Sequence, residues 1–194
     1  MNLRELLLRT RSYRRFDESY RIPEAELEKL VELTRFAPSA RNQQVLRYII
    51  VSDKKTCDAI FPITAWAGYL KDWNGPVSGE RPSAYILVLK DRDLTSNLYC
   101  DDGLAIQTIM LGATEKGLGG CIIGSFSKQA LLEMFNPGEN FEALYLIALG
   151  KPIETVVIDE VKNGDVKYWR DDNLVHHVPK RPLKELILTK NETP

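Results

Sequence analysis

The sequence predicts an α+β fold built on a mixed sheet, on three observations. Residues 83–89 (SAYILVL) and 141–149 (FEALYLIAL) are apolar at both alternating sets of positions, the pattern of strands covered on both faces and therefore central in a sheet. Between them, residues 101–116 bring Leu104, Ala105, Thr108, Ile109, Gly112 and Ala113 onto one helical stripe whose small members admit close packing. With 194 residues, 44% hydrophobic and 27% charged, the chain can bury its own core as one domain over 1–194 without disulfides or a structural metal.

In chain order, residues 23–36 place Leu27, Leu30, Val31 and Phe36 on one helical face, with acids early, Arg35 late and Pro23 in the first turn. Residues 37–44 break that period as a polar loop, and 45–51 (VLRYIIV) read as a strand. Gly117 stops the 101–116 helix, residues 120–125 form a short buried strand, Ser127 caps another helix, and Asn136-Pro137-Gly138 turn the chain after it. Residues 153–170 are a charged excursion with Asn163-Gly164 at a hairpin turn, and 182–188 a terminal helix.

Twenty-six Lys and Arg against 27 Asp and Glu give a net charge of -1, which excludes the global basic excess of a general nucleic-acid binder. Cys57, Cys100 and Cys121 are odd in number and widely spaced, so they form neither a disulfide framework nor a CxxC pair, and a reducing compartment suits them. The run Leu6-Leu7-Leu8 between arginines is too short for a signal peptide, and 143–149 is too short to cross a bilayer. A cytoplasmic protein without a membrane partner is the expectation.

Three constellations could carry chemistry. In residues 9–16 (RTRSYRRF), Arg11 and Arg14 can turn the same way beside Ser12, a set suited to phosphate or, equally, to a solvated helix end. Residues 39–44 (SARNQQ) combine donors and acceptors that could read the edge of a heteroaromatic ring or satisfy their own loop backbone. The glycines of 117–124 invite comparison with a dinucleotide loop, but Ile122 stands where the last glycine of GxGxxG belongs and the order is helix before strand. They leave helix termination, close packing or ligand approach near Gly124-Ser125 as readings. Segment 61–82 mixes Trp66, Tyr69 and Trp73 with prolines and glycines, the composition of a loop covering a planar ligand or of one tucked into a core or dimer contact.

No metal-ligand spacing surrounds His176 and His177, which read as plain strand or loop positions, and Asp101-Asp102 read as a helix cap. There is no GxSxG, and Cys121 lies in an apolar run. No catalytic side chain is therefore assigned, and any hard chemistry belongs to a cofactor.

Taken in order, Arg11-Ser12-Tyr13-Arg14-Arg15-Phe16, residues 37–44 (APSARNQQ), Gly117-Leu118-Gly119-Gly120 with Ile123-Gly124, Leu149-Gly150-Lys151-Pro152 and Lys180-Arg181-Pro182-Leu183 resemble the FMN-dependent nitroreductase family over nearly the whole chain. The resemblance implies a central mixed, mainly antiparallel sheet flanked by helices, in an intertwined homodimer with FMN in two interfacial sites. By position it implies that Arg11, Ser12 and Arg14 hold the phosphate, joined by Lys180 or Arg181. It also implies that Ser39, Ala40, Asn42 and Gln44 reach the flavin from the partner subunit, and that Ile123, Gly124 and Ser125 lie near the ring. Segment 61–82 falls where relatives carry substrate-covering helices, which makes Trp66, Tyr69 and Trp73 candidates for the substrate pocket, and Arg41, standing where relatives have a small residue, is a further candidate to shape it. Thr10 departs from the arginine frequent in relatives, Val45-Leu46 from Pro-Trp, and Arg41 from a small residue.

The implied activity is ping-pong transfer of electrons from NAD(P)H through FMN to a nitroaromatic, quinone or similar electron-poor small molecule. The alternative is a flavin-binding or flavin-sequestering dimer without turnover, whose phosphate and ring contacts have the same sequence. Nothing in the chain distinguishes NADH from NADPH.

Overall fold

The structure, a computed structural model, describes residues 1–95 and 97–189. The chain divides into two compact units, one of Met1–Trp66 with Asn74–Ile153, the other of Ala67–Trp73 with the chain from Glu154 onward.

The first unit runs α1 (Leu3–Arg9), β1 (Phe16–Asp17), α2 (Glu24–Leu33), β2 (Leu46–Val51), α3 (Lys54–Ile60), β3 (Ala84–Asp91), α4 (Asp101–Glu115), β4 (Gly119–Ile123), α5 (Lys128–Phe135) and β5 (Phe141–Pro152). Strand β3 lies between β2 and β5, antiparallel to both. The twelve residues of β5 are long enough to serve two strands on its other edge, β4 opposite 146–150 and β1 opposite 151–152. A parallel bridge between Ser12 and Gly120 adds the mixed element. The two segments apolar on both faces are thus the central strands, and residues 84–89 of β3 are buried without exception. Leu27 and Leu30 of α2 and Ile106, Ile109, Met110 and Ala113 of α4 pack with Ile86, Val88, Ile147 and Leu149 in one core. Gly112 has a packing reason, since a Cβ there would collide with Leu33.

Several boundaries differ from those the sequence predicts. Pro23 is the N-cap of α2 rather than a member of its first turn, and the helix stops at Leu33. The Thr34 hydroxyl donates to the Val31 carbonyl at 2.7 Å, the chain tightens into a 3-10 turn, and Pro38 disfavours helix at Ala37. Phe36 consequently leaves the apolar face and is 77% exposed. In α4 the buried stripe is Ala105, Ile106, Ile109, Met110 and Ala113, while Leu104 is 38% exposed. Ser127 does cap α5, accepting from the Ala130 N–H, and Asn136 ends that helix in the left-handed region at φ +43°.

The second unit carries β6 (Val156–Glu160), β7 (Trp169–Arg170), β8 (His176–Lys180) and the single turn α6 (Leu183–Leu186). Strand β8 is central, parallel to β6 and antiparallel to β7. Asn163 and Gly164, at φ +53° and +75°, do make a tight turn, but it closes only the Lys162–Asp165 bridge. The Lys167 N–H then bonds the Asp165 side chain at 3.0 Å, and β6 and β7 each pair with β8 instead of with each other. The terminal helix is shorter than the expected 182–188, with Pro182 as its N-cap and Ile187 already extended at φ -104° and ψ 109°.

Candidate functional site

The extended stretch 11–16 owes its place to glycines. The Tyr13 N–H donates to the Gly120 carbonyl at 2.9 Å, beside the Ser12–Gly120 bridge. A Cβ on Gly119 would sit 2.5 Å from the Tyr13 ring and from Pro152, and one on Gly150 would meet the Phe16 ring at 2.8 Å. The glycines at 119 and 150 are therefore a floor on which Tyr13 and Phe16 lie, and residues 12–14 are pressed against the sheet edge as a result.

That anchoring sorts the four arginines. Arg15 is taken, its guanidinium donating twice to Glu80 at 2.7 and 2.6 Å. Arg9 is exposed at the end of α1. Arg11 donates from Nη2 to the Leu7 carbonyl at 2.8 Å, while its Nε is buried and has no hydrogen-bond partner among the described residues. Arg14 is only 9% exposed and donates from Nη1 to the Ser12 carbonyl at 3.1 Å. A buried guanidinium N–H without an acceptor is costly, and an anion beside Ser12 would complete it. Thr10 has another task, its hydroxyl bonding the Leu6 carbonyl at 2.8 Å and the Thr114 hydroxyl at 3.0 Å and so tying α1 to α4.

Beyond Gly120, strand β4 leads to Ile123, buried, and to Gly124 and Ser125, both exposed. Gly124 is open on one side, since an added Cβ would make only ordinary contact with the Tyr145 ring at 3.8 Å. The Ser125 carbonyl accepts from the Ala65 N–H at 2.8 Å, which fixes the exit of the strand. Four residue steps of extended chain run from Gly120 to Gly124, about 13 Å at ~3.3 Å per residue.

The loop of residues 39–44 is built on α4. Asp101, the first residue of that helix, accepts from the Ser39 hydroxyl at 2.6 Å and from the Ala40 N–H at 2.9 Å, and Ser39 Oγ in turn accepts from the Gln44 N–H at 2.9 Å. Within this clamp Arg41, Asn42 and Gln44 hold φ of +52°, +56° and +51°. Left-handed backbone costs a non-glycine residue about 1–2 kcal/mol, less for Asn, and persists where its surroundings over-determine it. All three side chains are exposed. Behind the loop lies a cavity of about 290 Å³ lined by Val31, Thr34, Ser39, Asn42, Tyr48 and Asp101. Burial pushes the Tyr48 phenol up from its ordinary pKa, so it stays a neutral hydrogen-bonding group there.

Asp101 is the residue sequence reasoning missed, because Asp101-Asp102 read locally as a cap. Asp102 does bond backbone nearby, at the Gly103 N–H, 2.8 Å away. Asp101 turns instead to a loop 62 residues earlier. Two adjacent acids where one cap suffices were the available signal.

The aromatic candidates of 61–82 separate. Trp66 is buried in the first unit, its indole N–H donating to the Thr64 hydroxyl at 2.9 Å and its ring against Gly75. Tyr69 and Trp73 belong to the second unit, Tyr69 exposed with its ring 4.9 Å from that of Tyr168, and Trp73 half-buried under Arg170 at 4.6 Å. In the same unit Lys180 is exposed at the end of β8, Arg181 pairs with Glu185 at 2.9 Å, and the His177 ring stacks on Trp169 at 3.9 Å with Nδ1 2.8 Å from Asp159.

Among the described residues no group of three or more His, Cys, Asp or Glu is arranged to hold a metal ion, and no helix is long and apolar enough to cross a membrane. The arrangement offers an anion cradle at one end of β4, open backbone at its other end, and a rigid polar loop elsewhere on the unit.

Residues 7–151 match the family model described as the nitroreductase family. The chain is similar to the oxygen-insensitive NADPH nitroreductase of Helicobacter acinonychis, 27% identical over 192 residues that cover 78% of this chain and 88% of that one. Its fold is similar to that of a nitroreductase family protein of Clostridium difficile 630, with TM-score 0.67, 22% identity and all of both chains covered. It is similar too to that of a protein of Exiguobacterium sibiricum assigned as a nitroreductase and solved in complex with FMN, with TM-score 0.68, 20% identity and 88% of this chain and 98% of that one covered.

Proposed function

The chain belongs to the nitroreductase family, and on that premise we propose that it is a homodimeric, FMN-dependent oxidoreductase. It takes electrons from NAD(P)H and delivers them to nitroaromatic, quinone or similar electron-poor small molecules in a ping-pong cycle. The observation that carries this reading is the buried Arg11 Nε, left without an acceptor among the described residues, next in sequence to Ser12 at the edge of β4. The residues present fit the cofactor: Arg11, Ser12 and Arg14 would hold the phosphate, and the exposed backbone of 123–125 would face the ring. The stretch of β4 between these two groups suits a phosphate joined to a ring by a five-carbon chain. FMN, when bound, supplies two-electron transfer between the nicotinamide and the acceptor.

The rest of the task falls to the protein. It neutralises a phosphate dianion with several cations, since micromolar retention requires about 8 kcal/mol in total and one charged hydrogen bond supplies about 1.5–3. It leaves Gly124 and Ser125 exposed, so donor and acceptor can use one face in turn. It holds Ser39, Ala40, Asn42 and Gln44 on a fixed loop to read the ring edge across the dimer. Tyr69, Trp73 and Arg41 would lie toward the acceptor.

The homodimer is supported by apolar side chains that one chain leaves uncovered. Helix α1 has no buried residue, its Leu3, Leu7 and Leu8 being exposed, and Phe36, Leu104 and Ile122 are exposed as well. A second copy could take such side chains out of water. Three free cysteines suit a cytoplasmic, reducing setting.

The test is an anaerobic visible spectrum of protein purified with FMN and desalted, before and after addition of NADH and then NADPH. A bound oxidised-flavin spectrum bleached by either nucleotide, and restored by a nitroaromatic or quinone, is the expected result. No retained flavin would sink the assignment of Arg11, Ser12 and Arg14; flavin untouched by both nucleotides would favour sequestration over turnover.

A further inference from the structure

We propose that Asp101 is the positioning residue of the flavin-reading loop, fixing Arg41, Asn42 and Gln44 through Ser39 and Ala40 before any ligand arrives. The inference rests on the proposed FMN site and goes beyond it, because Asp101 itself has no place among the cofactor contacts.

The loop's backbone has little reason of its own to adopt its shape. Arg41 and Gln44 are not residues that favour positive φ, yet both hold it, with Asn42 between them. Neither the Ser39 nor the Gln43 side chain caps the 3-10 turn Ala40–Asn42. What defines the loop is one carboxylate at the start of α4, 5% exposed, each of whose oxygens accepts from a consecutive residue of the loop's entry. The acceptance continues from Ser39 Oγ to the Gln44 N–H, so entry and exit are joined through a single hydroxyl. That hydroxyl has one proton, and Asp101 Oδ2 receives it; Ser39 Oγ is thereby left oriented as an acceptor for the Gln44 N–H. Asp101 thus fixes the one hydroxyl in this relay that could point either way. Because α4 is a fifteen-residue helix packed into the core, the loop inherits the rigidity of the core rather than of the surface.

Preorganisation of this kind predicts an effect on the flavin that a stabilising contact alone would not produce. In D101N, nearly the same size, Oδ1 can still accept from Ala40 but Nδ2 offers a proton where Ser39 needs an acceptor, so the polarity of the relay is broken. S39A deletes the relay atom on a half-buried residue and leaves Asp101 in place. Both variants are compared with the wild-type chain as purified homodimers by thermal melting without flavin, by FMN titration, by the visible spectrum of the bound flavin and by its midpoint potential. The expected result is FMN binding at least tenfold weaker, a displaced flavin absorption envelope and a shifted potential in both variants, with S39A melting close to wild type.

Wild-type affinity, spectrum and potential in both variants would overturn the inference while leaving the FMN site intact. Weakened binding in D101N that follows only a large fall in melting temperature, with S39A silent, would also overturn it, by reducing Asp101 to a structural brace. A wild-type chain that takes up no FMN would overturn the proposed function first and this inference with it.

Discussion

Gly119 lies under the ring of Tyr13 so closely that a methyl group in its place would stand 2.5 Å from a ring carbon. The contact joins two segments more than a hundred residues apart and holds the Arg11-Ser12-Arg14 stretch to the edge of β4. Overpacking a well-filled site costs about 1–3 kcal/mol, and here the displaced group is the stretch that carries the arginines. Gly119→Ala is expected to lower stability by about that amount in urea unfolding and to weaken FMN binding more than any substitution on the open surface of α1. Wild-type stability and FMN affinity in that variant would remove the glycine floor from the account.

Arg11 gives a sharper test of the phosphate assignment, because riboflavin differs from FMN by that group alone. A charge-assisted hydrogen bond contributes about 1.5–3 kcal/mol, or roughly 10- to 150-fold in affinity. Arg11→Ala is expected to weaken FMN by a factor in that range while leaving riboflavin unchanged, as read by flavin fluorescence titration. Equal losses for both flavins would show that Arg11 shapes the site without touching the phosphate.

What was legible in the sequence was what short-range pattern determines. Residues 83–89 and 141–149 announced the central strands because both of their faces are covered, and 117–120 announced a helix end because Gly117 adopts φ +74°. The buried stripe of 101–116 is shifted in phase from the apolar pattern at Leu104, an apolar residue that the fold of one chain leaves exposed. Periodicity marks an apolar face without saying whether the same chain covers it. Side-chain partners far apart were illegible altogether. Asp101 reaches across 62 residues to Ser39, and Thr10 across 104 to Thr114, which gives Thr10 a buried structural use. Local reading gave Asp101 a cap to make, and only the packing of α4 against the 39–44 loop shows otherwise.

In the second unit, Arg170 donates to the Glu154 carboxylate at 2.6 Å, with side-chain exposures of 10% and 0%. Removing one member of such a pair takes away the charge partner of a buried group and costs about 3–5 kcal/mol, whereas replacing both partners with apolar groups of similar size is near neutral. Arg170→Met is expected to destabilise the unit by about that much and to free Trp73, whose ring now lies under the guanidinium, so its fluorescence reports the loss. The double variant Arg170→Met with Glu154→Met is expected to recover most of the stability and none of the Trp73 signal. A single variant as stable as wild type would show that the pair is not the anchor of residues 67–73.

The junction of α2 with α4 carries a pH dependence of defined sign. Lys116, at the end of α4, lies 2.7 Å from Glu26, and Lys29 approaches the same carboxylate at 2.7 Å. These two ammonium groups hold the Glu26 pKa at about 2, below its ordinary 4.5. A depressed folded-state pKa means that the unfolded chain binds the proton more readily, so the contribution is complete above about pH 4.5 and is lost as pH falls toward 2. The site is open to solvent, and salt screens it. Urea unfolding between pH 5 and pH 2 at low ionic strength, followed for the wild type and Glu26→Gln, tests this directly. The wild type is expected to lose more stability than the variant over that interval, and 1 M salt to narrow the difference. Parallel curves at low salt would mean that the two lysines hold Glu26 no more tightly in the folded chain than in the unfolded one.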